Sequence, residues 1–365
     1  LIHMKILICS EFFYPHIGGV EKHTQVLASY FIKWKHKVHI ATSFIKNRQK
    51  FKNLSIKEFN ISGNIVKGYR GDTLEYQKFL INSKYDLIFF NAAQQWTLDL
   101  VLPIIDLVIS KKAFFPCGFS RINNFLYKPY FSYLETRINF FDNIICANKN
   151  AADYKLISKN KKINVDIINN GAEIIKPVYT KKKLIKKFKL NKSQKIMCNI
   201  SNIKYWKGQD RCIKIFENMK TNDTVLFLIG KNMNKFYYKF ICFLIKRFNY
   251  KNKIKKKKII LLNTTHEEAR TILHHSDLFL FGSRIEYDPL VIYESIISKV
   301  KFISYDVGLI SHHNHNPKIG FISNDIGLLS NKADEYLQKL NTYSLNVDKF
   351  LWKNIMNKYK KVLSL

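Results

Sequence analysis

The sequence predicts an α/β protein built from two doubly wound units in series. Three observations predict it. The 365 residues, 47% of them hydrophobic, suffice for two domains of ordinary size, each with its own core. Short apolar runs alternate with longer stretches whose apolar residues recur at helical spacing, the pattern of parallel sheets covered by helices. The alternation comes as two successive series, and no repeat with a period of about 20–50 residues is present, which excludes a solenoid.

Taken in order, residues 1–3 precede Met4 and read as an upstream extension, outside the fold. Residues 5–10 form a first strand, too short an apolar run for a signal peptide. A helix over 20–34 follows, with Val20, Leu27, Phe31 and Trp34 as its apolar stripe, then a strand over 37–42. Gly18 and Gly19 lie at the junction of strand and helix, where glycine lets backbone N–H groups approach an anion closely. Residues 47–71 read as polar and irregular. Strands over 86–91, 113–115, 143–147 and 165–168 then alternate with helices over 96–110 and 127–140. Residues 173–194, Lys-rich with a short helix over 180–190, read as the linker into the second unit. That unit opens with a strand over 195–201, a loop over 202–208, a helix over 209–220 and a strand over 224–230. A basic-aromatic helix over 236–248, a Lys run, a strand over 259–262 and a helix over 267–275 come next.

The stretch from Ser276 to Gly308 organises the second unit. Leu278–Phe281 is a buried strand, and residues 282–288 form a polar turn. A helix over 289–298 has Asp288 as its N-cap and Pro289 at its first position, and a strand over 300–304 follows. Two carboxylates eight residues apart, Glu286 and Glu294, fall in the loop and on the helix, at the sheet edge where parallel folds bind ligands. Residues 337–365 read as an amphipathic helical segment. The expected domains are 1–175, 176–345 and a terminal helix over 346–365 crossing back to the first.

Composition narrows the partners. Six scattered cysteines without a C-x-x-C pair read as reduced thiols packed in cores. No window holds 18 uninterrupted apolar residues, so no membrane span is expected. His312-His-Asn-His315 has metal-type side chains but no spacing that fixes a geometry, and no metal is expected. The net charge of +34 arises from 61 basic residues of which only eight are Arg. It reads either as a lysine-rich compositional bias or as attraction to an anionic surface. The lysines are dispersed through both halves, so no nucleic-acid partner is expected.

Glu286-Tyr-Asp-Pro-Leu290 with Glu294 resembles the E-x7-E motif of the family-4 glycosyltransferases, retaining enzymes of the GT-B fold. Pro15-His-Ile-Gly-Gly-Val-Glu21, Ile167-Ile-Asn-Asn-Gly171 and Lys207-Gly208 resemble further motifs of that family, in the family's order. The resemblance implies two facing Rossmann-like domains with a cleft between them. It implies transfer of a sugar, hexosyl in type, from a UDP- or GDP-linked donor to a hydroxyl acceptor, without metal or other cofactor. In that scheme Glu286 and Lys207 are the catalytic pair. Glu286 holds the donor sugar; Lys207 and the N–H groups of Leu290 and Val291 hold the diphosphate. Glu294 takes the ribose hydroxyls, and Gly18 and Gly19 close over the diphosphate. The chain departs from the family twice. Asn202 stands where the family's cationic clamp has Arg, and Pro116-Cys-Gly118 stands where many relatives carry a His, leaving the Gly118 backbone to line the pocket. The implied acceptor is a glycan or lipid-linked glycan in bacterial surface polysaccharide (lipopolysaccharide, capsule or O-antigen). The implied location is cytoplasmic, peripheral on the anionic inner-membrane face. A GT-B sugar-nucleotide epimerase and a catalytically impaired homologue are the alternatives.

Overall fold

The structure, a computed structural model, describes residues 3–16, 18–49, 51–119, 121–160, 162–310, 319–339 and 346–365. The chain divides into two compact units, Leu1–Asn170 with Trp352–Leu365, and Gly171–Leu351.

Unit 1 contains a seven-stranded, wholly parallel sheet. Its strands are β1 (Lys5–Cys9), β2 (Lys37–Ser43), β3 (Leu54–Phe59), β6 (Leu87–Asn91), β7 (Lys111–Phe115), β8 (Asn143–Cys146) and β9 (Val165–Ile167). The spatial order is β3-β2-β1-β6-β7-β8-β9. The order reverses direction between β1 and β6, and α1 (Gly19–Lys33) follows β1. A small antiparallel pair, β4 (Ile61–Asn64) and β5 (Gly68–Gly71), stands apart from the sheet. The polar, irregular reading of residues 47–71 therefore gives way to three short strands. Their burial is partial, Lys and Glu interrupt β3, and β4 and β5 are only four residues each, which hides the period-2 signal.

The single helix expected over 96–110 is broken. An α-helical turn, Trp96–Asp99, is followed by a 3-10 segment, Leu102–Leu107, with Pro103 in its first turn. Proline has no N–H to donate, and its ring excludes the carbonyl four residues back, so the α-helix cannot run through it.

The terminal helix Trp352–Leu363 is part of unit 1. Its buried Tyr359 hydroxyl lies 3.0 Å from Nε2 of the buried His23 on α1. Lys111 Nζ and Asn143 Nδ2 donate to the carbonyls of Leu363 and Val362.

Unit 2 contains a six-stranded parallel sheet, again reversing at its centre. Its strands are β10 (Lys195–Ile200), β11 (Thr224–Ile229), β12 (Lys257–Leu262), β13 (Leu278–Phe281), β14 (Phe302–Ser304) and β15 (Gly320–Ile322), in the order β12-β11-β10-β13-β14-β15. Both faces are covered, which is why the strands read as unbroken apolar runs. Met197, Leu226, Leu228, Leu278 and Leu280 pack on one side, with Phe216 of α7 (Gln209–Asn218) and Ile241 of α8 (Lys235–Lys251). Ile196, Cys198, Phe227, Phe279 and Phe281 pack on the other, with Ile272 of α9 (His266–His275) and Ile296 of α10 (Leu290–Ile297).

A helix over Ile326–Gln338 lies within what the sequence reading left unassigned before residue 337. Asp325 caps it by accepting from the Leu328 N–H at 2.8 Å. Of the segment over 337–365 read as helical, residues up to Gln338 end the preceding helix and Trp352–Leu363 form the terminal one.

Candidate active site

In unit 2 the sheet order reverses between β10 and β13, so their carboxyl ends splay and leave a crevice. The loops that leave those two ends carry the residues singled out above. After β10, residues 202–208 include a 3-10 turn, Tyr205–Lys207, closed by Gly208 in the left-handed region at φ +61°. After β13, Gly282 leads into the Glu286 loop. A Cβ on Gly208 would overlap the Gly282 carbonyl, and one on Gly282 would lie 2.8 Å from Cys212 Sγ. The two backbones therefore touch, and only glycine fits at the contact.

That contact brings Lys207 and Glu286, 79 residues apart, into an ion pair in which the amine donates to Oε1. The Glu286 side chain keeps only 11% of its exposure and Lys207 26%. Arg284 fixes the turn from which Lys207 projects. Its backbone N–H donates to the Trp206 carbonyl and its Nη1 to the Tyr205 carbonyl, both at 2.8 Å. Its guanidinium forks onto Asp210 at 2.9 and 2.6 Å and stacks 4.1 Å from the centre of the Tyr205 ring. Burial alone would raise the Asp210 carboxyl, but hydrogen bonds from Arg284 and Tyr237 hold it below its ordinary value.

Glu294 sits on α10 with its side chain 13% exposed, 3.5 Å from the Arg270 guanidinium of α9. It is not a solvated surface residue. The N-cap expectation for Asp288 fails. Pro289 occupies the cap with an extended ψ of 115° and the helix begins at Leu290, while Asp288 Oδ1 accepts from the buried Tyr293 hydroxyl at 2.8 Å. The Asp288 carboxylate is thus 7% exposed and bonded to Tyr293. Leu290 and Val291 are the first two helical residues, whose N–H groups have no acceptor within the helix. Behind the loop, Gly308 at φ +62° packs on the Glu286 and Tyr287 carbonyls, and the Leu309 N–H donates to Tyr287 O at 2.8 Å. The backbone carbonyl of Asn202 accepts from Gln209 Nε2 at 3.1 Å, so the neutral residue in the clamp position belongs to this loop's own bonding.

Sequence reasoning missed Arg270, Arg284 and Asp210. A usable signal existed: eight Arg in a Lys-rich chain mark places where a planar fork matters, and Arg284 stands two residues before Glu286. Residues 311–318, which include the histidine cluster at 312–315, lie outside the described residues.

In unit 1, Gly18 is the extended N-cap of α1 and Gly19 its first residue, with open space around the Gly19 Cα. Gly118 follows β7 at φ +82°, next to Cys117 at φ +60°. The Gly118 N–H donates to the buried Asp153 Oδ2 at 3.1 Å, so that amide is committed within the protein.

A separate acidic group lies at the carboxyl edge of this sheet. Burial first, then the Glu21 charge, raises the Glu11 carboxyl to about 7. Asp99, 1% exposed, is raised by burial to about 7 despite bonds from the Tyr130 hydroxyl and the Ile65 N–H. An acid with a raised folded value is neutral and costless below its unfolded value and charges at a cost as pH rises. Stability should therefore fall between about pH 4 and pH 7. Asp99→Asn is expected to flatten that fall and to stabilise the protein at pH 8 by up to roughly 4 kcal/mol, with the advantage gone at pH 4. Thermal unfolding of both proteins from pH 4 to 8 checks this; parallel curves would contradict it.

Comparison with known proteins shows what this half of the chain is similar to. Residues 180–343 match the family model described as glycosyl transferases group 1, a span that includes Lys207, Asp210, Arg270, Arg284, Glu286 and Glu294. No curated protein sequence matches the chain. Among solved structures, a glycosyltransferase from Rickettsia africae has a TM-score of 0.75 and 18% identity over 99% of each chain. Anabaena Alr3699/HepE, in complex with UDP and glucose, has a TM-score of 0.77 and 16% identity over 99% of this chain and 100% of that one. WaaG, a glycosyltransferase involved in lipopolysaccharide biosynthesis, has a TM-score of 0.64 and 14% identity over 98% of this chain and 95% of that one. At these identities the likeness establishes the fold, which is GT-B with a Rossmann-like sheet in each unit. Lys207 and Glu286 lie in the loops that leave the adjacent parallel strands β10 and β13, and Glu294 lies on α10, the helix that follows β13.

Proposed function

We propose that the protein is a retaining, nucleotide-sugar-dependent glycosyltransferase that transfers a hexosyl group to a hydroxyl of a glycan or lipid-linked glycan. The observation that carries this reading is the Lys207–Glu286 pair at the carboxyl ends of β10 and β13, inside the group 1 glycosyltransferase domain. The leaving group is a nucleoside diphosphate, so the chemistry needs positive potential where its charge develops. Lys207 and the free N–H groups at the start of α10 supply it. An arriving diphosphate competes with Glu286 for the Lys207 amine, leaving that carboxylate to accept from donor-sugar hydroxyls. Glu294 accepts from the two ribose hydroxyls, with the Arg270 guanidinium 3.5 Å away orienting it. The same reading gives Gly18 and Gly19 a backbone role toward the donor and leaves Gly118 with its carbonyl alone. It requires no metal or other cofactor.

UDP-linked donors come first to test, since Anabaena Alr3699/HepE is described in complex with UDP and glucose. Bacterial surface polysaccharide is the proposed pathway, in keeping with the role printed for WaaG, and the cytoplasmic face of the inner membrane the proposed place. The deciding experiment is turnover of UDP- and GDP-hexoses with and without a hydroxyl acceptor, following the anomeric configuration of the product. Inversion, or release of an epimerised sugar without acceptor, would replace this reading.

Glu294→Gln keeps the shape but removes charge-assisted bonds to ribose, each worth about 1.5–3 kcal/mol. Nucleotide affinity should weaken roughly ten- to hundredfold. Calorimetry with UDP and GDP checks this, and unchanged affinity for both would rule out the ribose role.

A further inference from the structure

Helix α8 presents two apolar faces where a surface helix needs one. Tyr237, Ile241, Ile245 and Phe248 are buried, with the Phe248 ring 5.2 Å from Phe216 of α7. The opposite side carries Phe236, Phe240, Phe243, Arg247 and Tyr250, a row at the helical spacings i, i+4, i+7, i+11 and i+14. The four rings are exposed by 87, 48, 60 and 88%, and Ile254 just beyond the helix by 95%. Exposed apolar residues scattered singly are ordinary, but a row of rings along one helix is not.

The charge around this row is of one sign. Residues 231–258 hold eleven Lys and Arg and no Asp or Glu. One of them, Lys257, is buried and donates to the Phe216 and Met219 carbonyls; the other ten are exposed. The acidic group that reaches them from a neighbouring element is Glu217 of α7, 3.9 Å from Arg247. The helix is 17 residues long, about 25 Å, and too polar to cross a bilayer; no helix among the described residues is long and apolar enough to do so.

We propose that α8 is the docking face of the protein for an anionic phospholipid bilayer, lying parallel to the surface with its phenylalanine row at the headgroup–acyl boundary. A helix with Phe on one side and Lys flanking it matches that interface in both polarity and charge. The lysines reach lipid phosphates while their stems cover apolar surface, as long basic side chains do at membrane interfaces. Nucleic acid fits less well. Nine of the ten exposed cations are Lys, which lacks the planar fork that reads phosphate and base edges. This deepens the lipid-linked-acceptor reading and rests on it only for the expectation that the acceptor lies at a membrane.

The test is co-sedimentation of the full chain with phosphatidylcholine vesicles containing none or about 30 mol% phosphatidylglycerol, at about 0.15 and 0.5 M salt. Binding is expected with the anionic vesicles alone, falling at least about tenfold at the higher salt. The variant Phe236→Ser/Phe240→Ser/Phe243→Ser alters exposed positions only, so it should keep the wild-type melting temperature and lose binding. Lys235→Gln/Lys239→Gln/Lys246→Gln/Lys251→Gln should lose the salt-sensitive part. Undiminished binding by the Phe variant overturns the proposal. So does wild-type binding to neither vesicle, or to single-stranded RNA in preference to both. Soluble UDP-hexose turnover is read in parallel on the same proteins. Its absence counts against the glycosyltransferase reading and leaves the vesicle result to stand by itself.

Discussion

Lys207→Ala is expected to lower kcat by roughly 10²–10³-fold, the cost of removing one preorganised group from the site of developing charge. The side chain is 26% exposed and its amine sits on Glu286, so the loss is of a placed charge and not of a mobile surface lysine. Glu286→Gln is expected to reduce kcat as well, because the amide accepts sugar hydroxyls less well and holds Lys207 more weakly. The two losses should not add. Once Lys207 is gone, the carboxylate still accepts from the donor sugar but also repels the diphosphate uncompensated, so neutralising it costs less than it does beside Lys207. Single-turnover kinetics on the two single variants and the double variant read this directly. Strict additivity, or an intact kcat in Lys207→Ala, would remove the pair from the chemistry.

Gly208→Ala is expected to be among the most damaging single substitutions in unit 2. The residue holds φ +61°, where an L-residue costs about 1–2 kcal/mol, and its Cβ would overlap the Gly282 carbonyl. Neither partner is a side chain that can rotate away; both are backbone, at the ends of β10's loop and β13. Relief therefore means separating the two loops that bring Lys207 to Glu286. A total loss of at least about 3 kcal/mol corresponds to a melting temperature lower by roughly 6–12 °C for a domain of this size. Gly19→Ala is the matched control, since its added Cβ meets nothing within 4 Å. Equal melting temperatures for the two variants would refute the close-approach argument.

Much of this arrangement was legible before the structure, and the legible part has a common cause. Parallel strands covered on both faces are continuous apolar runs, so Leu278–Phe281 and Thr224–Ile229 stand out without any context. Gly-containing loops beside them mark where the chain turns toward a ligand. Elements with one exposed face were harder to see. β3 and β4 mix Lys, Glu and Asn into short strands, and the helix Ile326–Gln338 has its stripe, Leu329, Ala333, Tyr336 and Leu337, diluted by Ser, Asn and Lys. The candidate site showed the same division. Glu286, Glu294 and Lys207 sit in short motifs and were visible one by one. The pairing of Lys207 with Glu286, and the attachment of Arg284 to the turn at 205–207, depend on residues more than 70 positions apart. No local pattern encodes such contacts.

Unit 1 is interrupted in sequence: it comprises Leu1–Asn170 and Trp352–Leu365, with all of unit 2 in between. Synthesis runs in one direction, so the first 170 residues emerge without the helix whose Tyr359 meets His23 and packs 6.3 Å from Phe89. Unit 2 is contiguous and can close as soon as Leu351 has left the ribosome. The part translated first is therefore the part finished last. Until residues 352–365 arrive, His23, Phe89 and the ends of β7 and β8 present an uncovered greasy surface to chaperones and to other nascent chains.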